Sequence, residues 1–370
     1  MNFCTLFLKT ENVHLMKDVG QLPLCLKKDF GYHAYIATYK NGEYPYLKNE
    51  AKGLELQFVK KSIMGRCFDG IQYIYINRKK IDVLNVYHLN LPSFLWIIFF
   101  KLVCKKGAIT YLKLDADHFE IEKMQKRNPT AFIKHITIRN ADIVSAESQI
   151  MRKTLQKYCK TEILYIPNGY LGVQADIRDP EVAKENIILT VGRLGTYQKA
   201  TELLVDAFIC AKVSPQWKLV LVGSMADEFA EWMEERMKKH PKIHDRIIMP
   251  GLIEDKKDLR KWYQKAKIFT LPSRYESFGI VLIEALLAGD YLITSDTVLA
   301  ADDLIQDSNM GTIFPSDSLE ELKKVLEETT ALDIDWNKNA KLITKSVEDK
   351  FLWANILQTL DQRIRTIWGE

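Results

Sequence analysis

The chain has 370 residues, a length that suits two domains of roughly 150–200 residues better than a single core. Apolar residues make up 47% and charged residues 27%, which excludes a disordered, collagen-like or coiled-coil protein. The six cysteines are scattered without a Cys-x-x-Cys pair. This argues against a zinc site or a disulfide framework and favours a reducing compartment.

The net charge of +4 is unevenly distributed. Residues 1–170 carry 26 Lys and Arg against 15 Asp and Glu, a net charge of +11, whereas the rest carries 26 against 33, a net charge of −7. An electropositive half favours an anionic partner, namely a phosphate-bearing substrate, a membrane surface or nucleic acid. Nucleic acid is the weakest of these, because the lysines are dispersed and no nucleic-acid-binding signature is present.

No apolar run reaches the roughly 20 residues that span a bilayer. The longest, FLWIIFF at 94–100, ends at Lys101. The first residues lack the basic start and cleavage site of a signal peptide, so residues 3–8 are predicted to form a strand. We expect a cytoplasmic protein, with peripheral contact at the inner face of the cell membrane as an open alternative.

Short apolar runs then alternate with stretches of helical period. Runs typical of strands buried on both faces occupy residues 82–87, 108–112, 143–146 and 163–166. Predicted helices between them include residues 94–105 and 148–158. After Pro167-Asn168-Gly169 the alternation stops in a polar segment that extends to about residue 186 and indicates an interdomain connection.

The alternation restarts at residue 187. Predicted strands are residues 187–191, 218–222, 246–249, 268–271 and 291–294, and predicted helices are residues 200–211, 226–239, 255–265 and 278–288. Strict alternation predicts parallel sheets with helices on both faces. We therefore predict an α/β protein of two Rossmann-like domains facing each other across a cleft. They are residues 1–170 and 171–350, with an amphipathic C-terminal helix in 351–370 that can cross back to the first domain.

Ligands of such sheets bind beyond the carboxyl ends of the strands, where helix N-termini point outward. One unusual turn lies between Gly192 and Lys199. Glycine at the strand end permits close backbone approach, and Arg193 and Lys199 would neutralise a bound diphosphate. The alternative is a solvated loop with two surface cations.

A second turn, PSRYESFG at 272–279, opens the helix that carries Glu284. The start of this helix offers N–H groups and a positive dipole end to phosphate oxygens; it consists of Ser277, Phe278 and Gly279. Glu276 precedes the helix and Glu284 lies about 9 Å along its axis, so the two carboxylates can serve the sugar and the ribose of one ligand. Alternatively, Glu276 caps the helix and Glu284 is a surface residue, although its apolar neighbours require a polar partner for it.

A third turn contains Gly223, which by itself also fits a plain turn. Together these residues resemble the retaining glycosyltransferases of family 4, which have the GT-B fold. The resemblance covers the second half closely: the Gly-Arg…Lys loop, the Val-Gly-Ser turn, the segment from Pro250 to Leu259, and Pro-Ser-x-x-Glu-Ser-Phe-Gly with its Glu-x7-Glu spacing. There are two departures. Ala200 stands where the family usually has glycine, which we expect a helix to tolerate, and residues 297–301 lack the usual Gly-rich turn that contacts the sugar.

The resemblance implies roles for these residues. Arg193 and Lys199 would bind the donor diphosphate at the Gly192 and Gly223 turns and stabilise its departure. Glu284 would bind the ribose, Glu276 would contact the transferred sugar, and Leu252 or Ile253 would line the base pocket. The backbone of Ser277, Phe278 and Gly279 would lie near the phosphates.

The first half resembles the family less. Gly20 follows the first strand where the family has a glycine loop near the donor phosphate, with a helix N-cap at Asp18 as the alternative. The acceptor-side candidates follow predicted strands: Lys113, Asp115, His118 and His88. A structural ion pair is the alternative for Lys113 and Asp115.

The implied reaction is transfer of a sugar from a nucleotide-diphosphate sugar to a hydroxyl of a saccharide acceptor, with retention. No metal or other cofactor is expected, because the fold that the resemblance implies needs no Asp-x-Asp metal motif. Asp115-Ala116-Asp117 matches that motif only by chance spacing, in the acceptor half. An epimerase or phosphorylase of the same fold, or a non-catalytic glycan- or nucleotide-binding protein, is the alternative.

We expect a lipid-linked acceptor at the membrane surface, as in capsule and other surface-polysaccharide biosynthesis. The +11 charge supports this expectation, as do the Lys-flanked apolar segment 94–106 and the cluster Arg78-Lys79-Lys80. Alternatively, residues 94–103 are simply a core helix between two strands.

Overall fold

The computed structural model describes residues 1–126, 128–172 and 178–369. The chain divides into two compact units, Met1–Leu171 with Phe351–Glu370, and Gly172–Lys350. Residues 173–177 of the predicted interdomain segment lie outside the described residues. Among the described helices, none has both the length and the apolar character needed to cross a bilayer.

The first unit is built on a sheet of seven parallel strands, in the order β3-β2-β1-β4-β5-β6-β7. They are β1 (Asn2–Leu6), β2 (His33–Thr38), β3 (Glu55–Phe58), β4 (Val83–Tyr87), β5 (Ile109–Lys113), β6 (Ile143–Ala146) and β7 (Ile163–Tyr165). The last four are the strands predicted from the apolar runs, displaced by at most one residue. Neither β2 nor β3 was predicted.

Helices connect these strands. They are α1 (Asp18–Asp29), α2 (Arg66–Asn77), α3 (Leu91–Val103), α4 (His118–Gln125), α5 (Pro129–Asn140) and α6 (Gln149–Gln156). Helix α3 begins three residues before its predicted start, because Asn90 accepts a hydrogen bond from the Ser93 N–H and caps it. It packs against α2 and α5 and buries Trp96 and Phe100. Residues 94–103 therefore belong to a core helix, as the alternative interpretation predicted.

The second unit has six parallel strands in the order β10-β9-β8-β11-β12-β13. They are β8 (Glu185–Val191), β9 (Lys218–Val222), β10 (Ile247–Gly251), β11 (Ala266–Leu271), β12 (Tyr291–Ser295) and β13 (Gly311–Phe314). The helices are α7 (Thr201–Cys210), α8 (Asp227–Lys239), α9 (Lys256–Lys265), α10 (Ile280–Leu287), α11 (Ala301–Leu304), α12 (Leu319–Thr330) and α13 (Trp336–Val347). Two parallel α/β units confirm the predicted fold class.

The last helix, α14 (Trp353–Trp368), packs within the first unit rather than the second. One face of this helix enters the core beside β1, β4 and β5; it consists of Trp353, Ile356, Leu357, Leu360 and Ile364. The Tyr32 hydroxyl donates to Asp361 at 2.8 Å. The chain thus returns to its first unit after completing the second.

Candidate functional site

Glycines join the carboxyl ends of three strands in the second unit. The Gly192 N–H donates to Val222 O, and the Gly223 N–H donates to Gly251 O, each at 3.0 Å. Gly223 has φ +142°, and a Cβ there would lie 1.7 Å from Gly192 O. Only glycine fits this position, so packing of the strand ends accounts for Gly223 without a ligand.

The loop after β8 holds the two predicted phosphate-binding cations differently. Arg193 is exposed, and its guanidinium donates to the Gln198 side chain at 2.7 Å. The Lys199 side chain lies over Gly192, where an added Cβ would be 3.7 Å from Lys199 Cε. Its ammonium group forms an ion pair with Glu276.

The Lys199–Glu276 pair is the centre of the candidate site. Both side chains are more than four-fifths buried, which strengthens their attraction relative to a surface pair. Gly279, with φ +79°, is the N-cap of α10. Glu276 therefore does not cap the helix, and the structure brings it together with Lys199 although the two are 77 residues apart in sequence.

The sequence analysis missed two residues that tie this loop to the 272–279 segment. Gln198 donates through its side chain to Tyr275 O at 3.1 Å, and its own carbonyl accepts the Arg274 N–H at 2.8 Å. The Arg274 guanidinium donates to Glu202 at 2.8 Å and to Asp317 at 2.9 Å. These partners lie 72 and 43 residues away, so no local motif indicates them.

Ala200 is not a helical residue. It precedes α7 with φ +46° and ψ +40°, in the left-handed region. A Cβ there costs on the order of 1–2 kcal/mol, which explains why glycine is favoured at this position. The expectation that a helix tolerates Ala200 is wrong.

Helix α10 carries the second carboxylate of the predicted donor site. The Tyr263 hydroxyl donates to Glu284 at 2.9 Å, which supplies the polar partner that the sequence requires. Burial, and next the Glu284 charge, raise the pKa of Tyr263 well above its ordinary value. The phenol therefore remains a hydrogen-bond donor that orients the carboxylate.

The start of α10 follows Gly279 as its N-cap. This residue makes no side-chain capping hydrogen bond, and the positive end of the helix dipole favours an anion here. The Phe278 side chain is fully buried, whereas Ser277 is partly exposed. Leu252, the predicted base-pocket residue, lies directly after β10 and is exposed.

The segment that lacks the family's Gly-rich turn supports the backbone of Glu276. The Glu276 N–H donates to Thr297 O at 3.3 Å, and the Leu299 N–H donates to Glu276 O at 3.1 Å. The Thr297 hydroxyl donates to Ser273 O at 2.8 Å. Residues 297–299 therefore fix the position of Glu276.

In the first unit, Lys113 is fully buried at the end of β5. Its ammonium group lies 3.6 Å from the Asp18 carboxylate and donates to Ile166 O at 3.1 Å. The ion pair proposed as the alternative for Lys113 is present, with Asp18 as its partner rather than Asp115. Asp18 is the first residue of α1, and Lys17 occupies the N-cap position, so the N-cap alternative for Asp18 is wrong.

A buried carboxyl missed by the sequence analysis lies beside this pair. Glu147 follows β6 and accepts the N–H groups of Asp115 at 3.0 Å and Ala116 at 2.8 Å. Burial, and next the Asp115 charge, raise its pKa to about 8. Glu147 therefore holds the turn that carries Asp115.

His88 and Asp115 lie next to each other at the ends of β4 and β5. His88 Nδ1 is 3.9 Å from Asp115 Oδ2. Both residues have positive φ, +65° and +41°, and such backbone strain is common at functional sites. The structure thus brings together two of the four acceptor-side candidates in a strained, half-exposed arrangement.

The remaining first-unit candidates have structural roles. His118 begins α4, with its ring centroid 4.0 Å from that of Phe119, and Asp117 caps the helix. Gly20 is buried in α1, and a Cβ there would lie 2.4 Å from Leu15 O. Close packing on Leu15 accounts for this glycine, and the predicted phosphate approach at Gly20 has no support from this geometry.

Known proteins match this chain most clearly over the second unit. Residues 174–347 match the family model described as glycosyl transferases group 1. Mannosylfructose-phosphate synthase of Agrobacterium fabrum is 29% identical over 257 residues, covering 63% of this chain and 54% of the relative. The match thus spans about half the length of that relative.

Two further relatives come from other bacteria. An uncharacterised 41.2 kDa protein in the cps region of Klebsiella pneumoniae is 25% identical over 85% of this chain and 89% of its own length. A Campylobacter jejuni N-acetylgalactosaminyltransferase, named for a diNAcBac-PP-undecaprenol-linked saccharide, is 29% identical over 40% of each chain.

Solved structures match the whole chain. Sucrose-phosphate synthase from Thermosynechococcus elongatus has a TM-score of 0.73 at 18% identity and covers 100% of this chain and 99% of its own. Anabaena HepE in complex with UDP-glucose has a TM-score of 0.73 at 15% identity. The match covers 99% of this chain and 100% of HepE. At these identities the likeness concerns the fold.

Proposed function

We propose that this chain transfers a sugar from a nucleotide-diphosphate sugar to a saccharide hydroxyl, with retention at the anomeric carbon. The match of residues 174–347 to the group 1 glycosyl transferases and the shared GT-B fold support this proposal. The observation that carries this proposal is the Lys199–Glu276 pair near the start of α10. It combines a cation for a leaving diphosphate with a carboxylate for a sugar.

The leaving group is stabilised by fixed positive charge. Lys199, Arg193 and the N-terminus of α10 offset the charge that develops on the diphosphate as the glycosidic bond breaks. Without a ligand, Glu276 neutralises Lys199. When the diphosphate binds, it replaces Glu276 as the ion-pair partner of the Lys199 ammonium group. The Glu276 carboxylate can then accept hydrogen bonds from the sugar hydroxyls.

Glu284 binds the ribose hydroxyls of the donor in this proposal. Its carboxylate is held by Tyr263, and a carboxylate suits two neighbouring hydroxyl donors. The exposed Leu252 side chain contacts the base. Ser277 and its neighbours offer backbone N–H groups to the phosphates.

The proposal includes no metal. Arg193, Lys199 and α10 supply the positive charge that a divalent cation provides in other phosphate sites. Asp117 of the Asp115-Ala116-Asp117 motif caps α4. This structural role accounts for an aspartate at position 117 without a metal. A chelator should leave the transfer rate unchanged.

The proposed acceptor is a lipid-linked saccharide used in surface-polysaccharide biosynthesis. The +11 charge of residues 1–170 supports an anionic, membrane-bound acceptor. The undecaprenol-linked saccharide in the name of the Campylobacter relative supports the same class. His88 and Asp115 are the groups proposed to contact the acceptor hydroxyl.

Release of free nucleoside diphosphate from a panel of UDP-, GDP-, ADP- and dTDP-sugars tests the activity. We expect slow release from one base class, faster with a lipid-linked saccharide, and a product whose anomeric configuration by NMR equals that of the donor. Conversion of the donor sugar without diphosphate release would indicate an epimerase. Tight binding without any turnover would indicate a non-catalytic protein.

A further inference from the structure

Residues 58–80 of the first unit form an exposed surface that the donor and acceptor sites do not use. It comprises the end of β3, the loop 59–65, helix α2 and the basic residues after it. Ile63 is fully exposed (104%) and its neighbour Met64 is 65% exposed. Two adjacent apolar side chains at a loop tip cost free energy in water unless a partner covers them.

Helix α2 extends this apolar surface. Apart from Arg66, its exposed residues share one helical face at spacings of four, seven and eight residues from the first; they are Phe68, Gln72, Tyr75 and Ile76. The opposite face packs on α3, because Trp96 Nε1 donates to Cys67 O and a Cβ at Gly70 would lie 2.2 Å from the Trp96 ring. The apolar stripe therefore points away from the core of the unit.

The charges around this surface have one sign. Its basic residues are Lys60, Lys61, Arg66, Arg78, Lys79 and Lys80. Asp69 is the one acid in residues 58–80, and it is fully buried. It accepts hydrogen bonds from Tyr39 OH and the Ser62 N–H, so it holds the loop from inside the unit and is not exposed at the surface.

We infer that residues 58–80 are a membrane-docking surface for an anionic bilayer. Ile63, Met64 and the apolar side of α2 insert at the boundary between headgroups and acyl chains, and the lysines and arginines contact acidic headgroups. This inference deepens the proposed function, since it gives the membrane contact of the lipid-linked acceptor a location. The cluster Arg78-Lys79-Lys80 is part of it, and the core helix α3 is not.

Charge complementarity favours a bilayer over a second copy of the chain. A symmetric dimer through this surface would place six basic residues against the same six, with no exposed acid within residues 58–80 of either copy. An anionic lipid surface neutralises all of them at once and covers the apolar tip.

The test is co-sedimentation of the full chain with vesicles of phosphatidylglycerol and phosphatidylcholine in equal parts, and with phosphatidylcholine alone. We expect binding to the anionic vesicles that weakens with salt, because screening shortens the reach of exposed charges. The double variants Ile63→Ser/Met64→Ser and Lys60→Gln/Lys61→Gln should each bind roughly tenfold more weakly.

Matched controls separate this surface from general hydrophobicity and charge. Leu102→Ser removes an exposed apolar side chain elsewhere in the first unit, and Lys238→Gln/Lys239→Gln removes two exposed charges from α8. Both should bind like the wild type. Equal binding by the Ile63→Ser/Met64→Ser variant, or no wild-type binding at low salt, would overturn the inference.

Two further readouts distinguish the remaining outcomes. A wild-type dimer that the Ile63→Ser/Met64→Ser variant loses, without vesicle binding, would assign the surface to self-association and overturn the inference. Nucleoside diphosphate binding is measured on the same proteins and should not change in any of these variants. Vesicle binding without any nucleotide binding would leave the surface in place and refute the proposed function.

Discussion

Lys199 and Arg193 differ in their surroundings, and the difference predicts unequal effects on the rate. Lys199→Ala removes a largely buried cation and leaves Glu276 without its partner, whereas Arg193 is exposed and held by Gln198. Each variant loses a charge-assisted contact to the leaving group, and such a contact contributes about 1.5–3 kcal/mol. We expect roughly 10- to 100-fold slower diphosphate release, with Lys199→Ala the slower. Steady-state kinetics measures this, and normal activity in both variants would remove the phosphate-site assignment. Lys218→Ala, at an exposed cation, is the control.

The two glutamates should separate binding from rate. Glu284→Ala should weaken nucleoside diphosphate binding in calorimetry, because it removes the carboxylate proposed to bind the ribose. Glu276→Ala should mainly lower the turnover rate, because its proposed contact is with the transferred sugar. Tyr263→Phe removes the hydroxyl that orients Glu284 and should weaken binding less than Glu284→Ala. Unchanged affinity in Glu284→Ala would show that the ribose role is wrong.

Ala200→Gly should stabilise the second unit. Glycine relieves the left-handed strain at φ +46°, and its greater freedom in the unfolded chain offsets part of the gain. The expected increase in the free energy of unfolding is up to about 1 kcal/mol. Urea denaturation checks this, with Ala211→Gly, at the C-cap of α7 with φ −75°, as a control that should not stabilise. A less stable Ala200→Gly protein would contradict the strain argument.

The stability of the turn after β5 depends on the protonation of Glu147. Its folded pKa of about 8 exceeds the ordinary value of 4.5. The stability it contributes is therefore fully present below the unfolded pKa and is lost as the pH rises through about 8. Glu147→Gln cannot ionise, but it loses one acceptor for the backbone N–H groups of Asp115 and Ala116.

The variant should thus be less stable than the wild type at acidic pH, and the difference should shrink as the pH rises. The slope is at most about 1.4 kcal/mol per pH unit. Urea unfolding of both proteins from roughly pH 5 to pH 9 measures it. A difference that does not depend on pH would show that Glu147 is ionised throughout.

The burial of an element determines whether it can be predicted from the sequence. Strands β4 to β7 read as apolar runs because both of their faces are covered. β3, with the sequence ELQF, lies at the sheet edge with no residue fully buried, so its pattern is too weak to indicate a strand. Helix α10 begins later than predicted because Gly279 adopts a left-handed conformation.

The residues of the candidate site also fall into two groups, those that the sequence indicates and those that it does not. Lys199, Glu276 and Glu284 lie in turns whose residue types and spacing indicate phosphate and sugar chemistry. Arg274 and Glu147 act through partners brought near only by folding, and one sequence contains no signal for such pairs. Gly20 and Gly223 were predicted to approach a ligand, but close packing alone requires glycine at both positions.

For the whole molecule, α14 is part of the first unit's core and not an appendage. Trp353 is among the largest fully buried side chains. Trp353→Ala should destabilise the first unit by about 3–5 kcal/mol, seen as an earlier transition in thermal unfolding. Leu342→Ala, at an exposed position of α13, should change stability by less than about 0.5 kcal/mol. Equal melting of both variants would show that α14 contributes little to the core.

The return of the chain to its first unit also has a consequence during translation. The face of the first sheet around Phe3, Tyr32 and Val83 is completed by side chains of α14, which the ribosome makes only after all of Gly172–Lys350. At about 5–20 residues per second, this delay lasts on the order of 10 seconds or more. The second unit, which is continuous in sequence, can therefore fold first. The nascent N-terminal half meanwhile carries an apolar face that stays uncovered until α14 emerges from the exit tunnel.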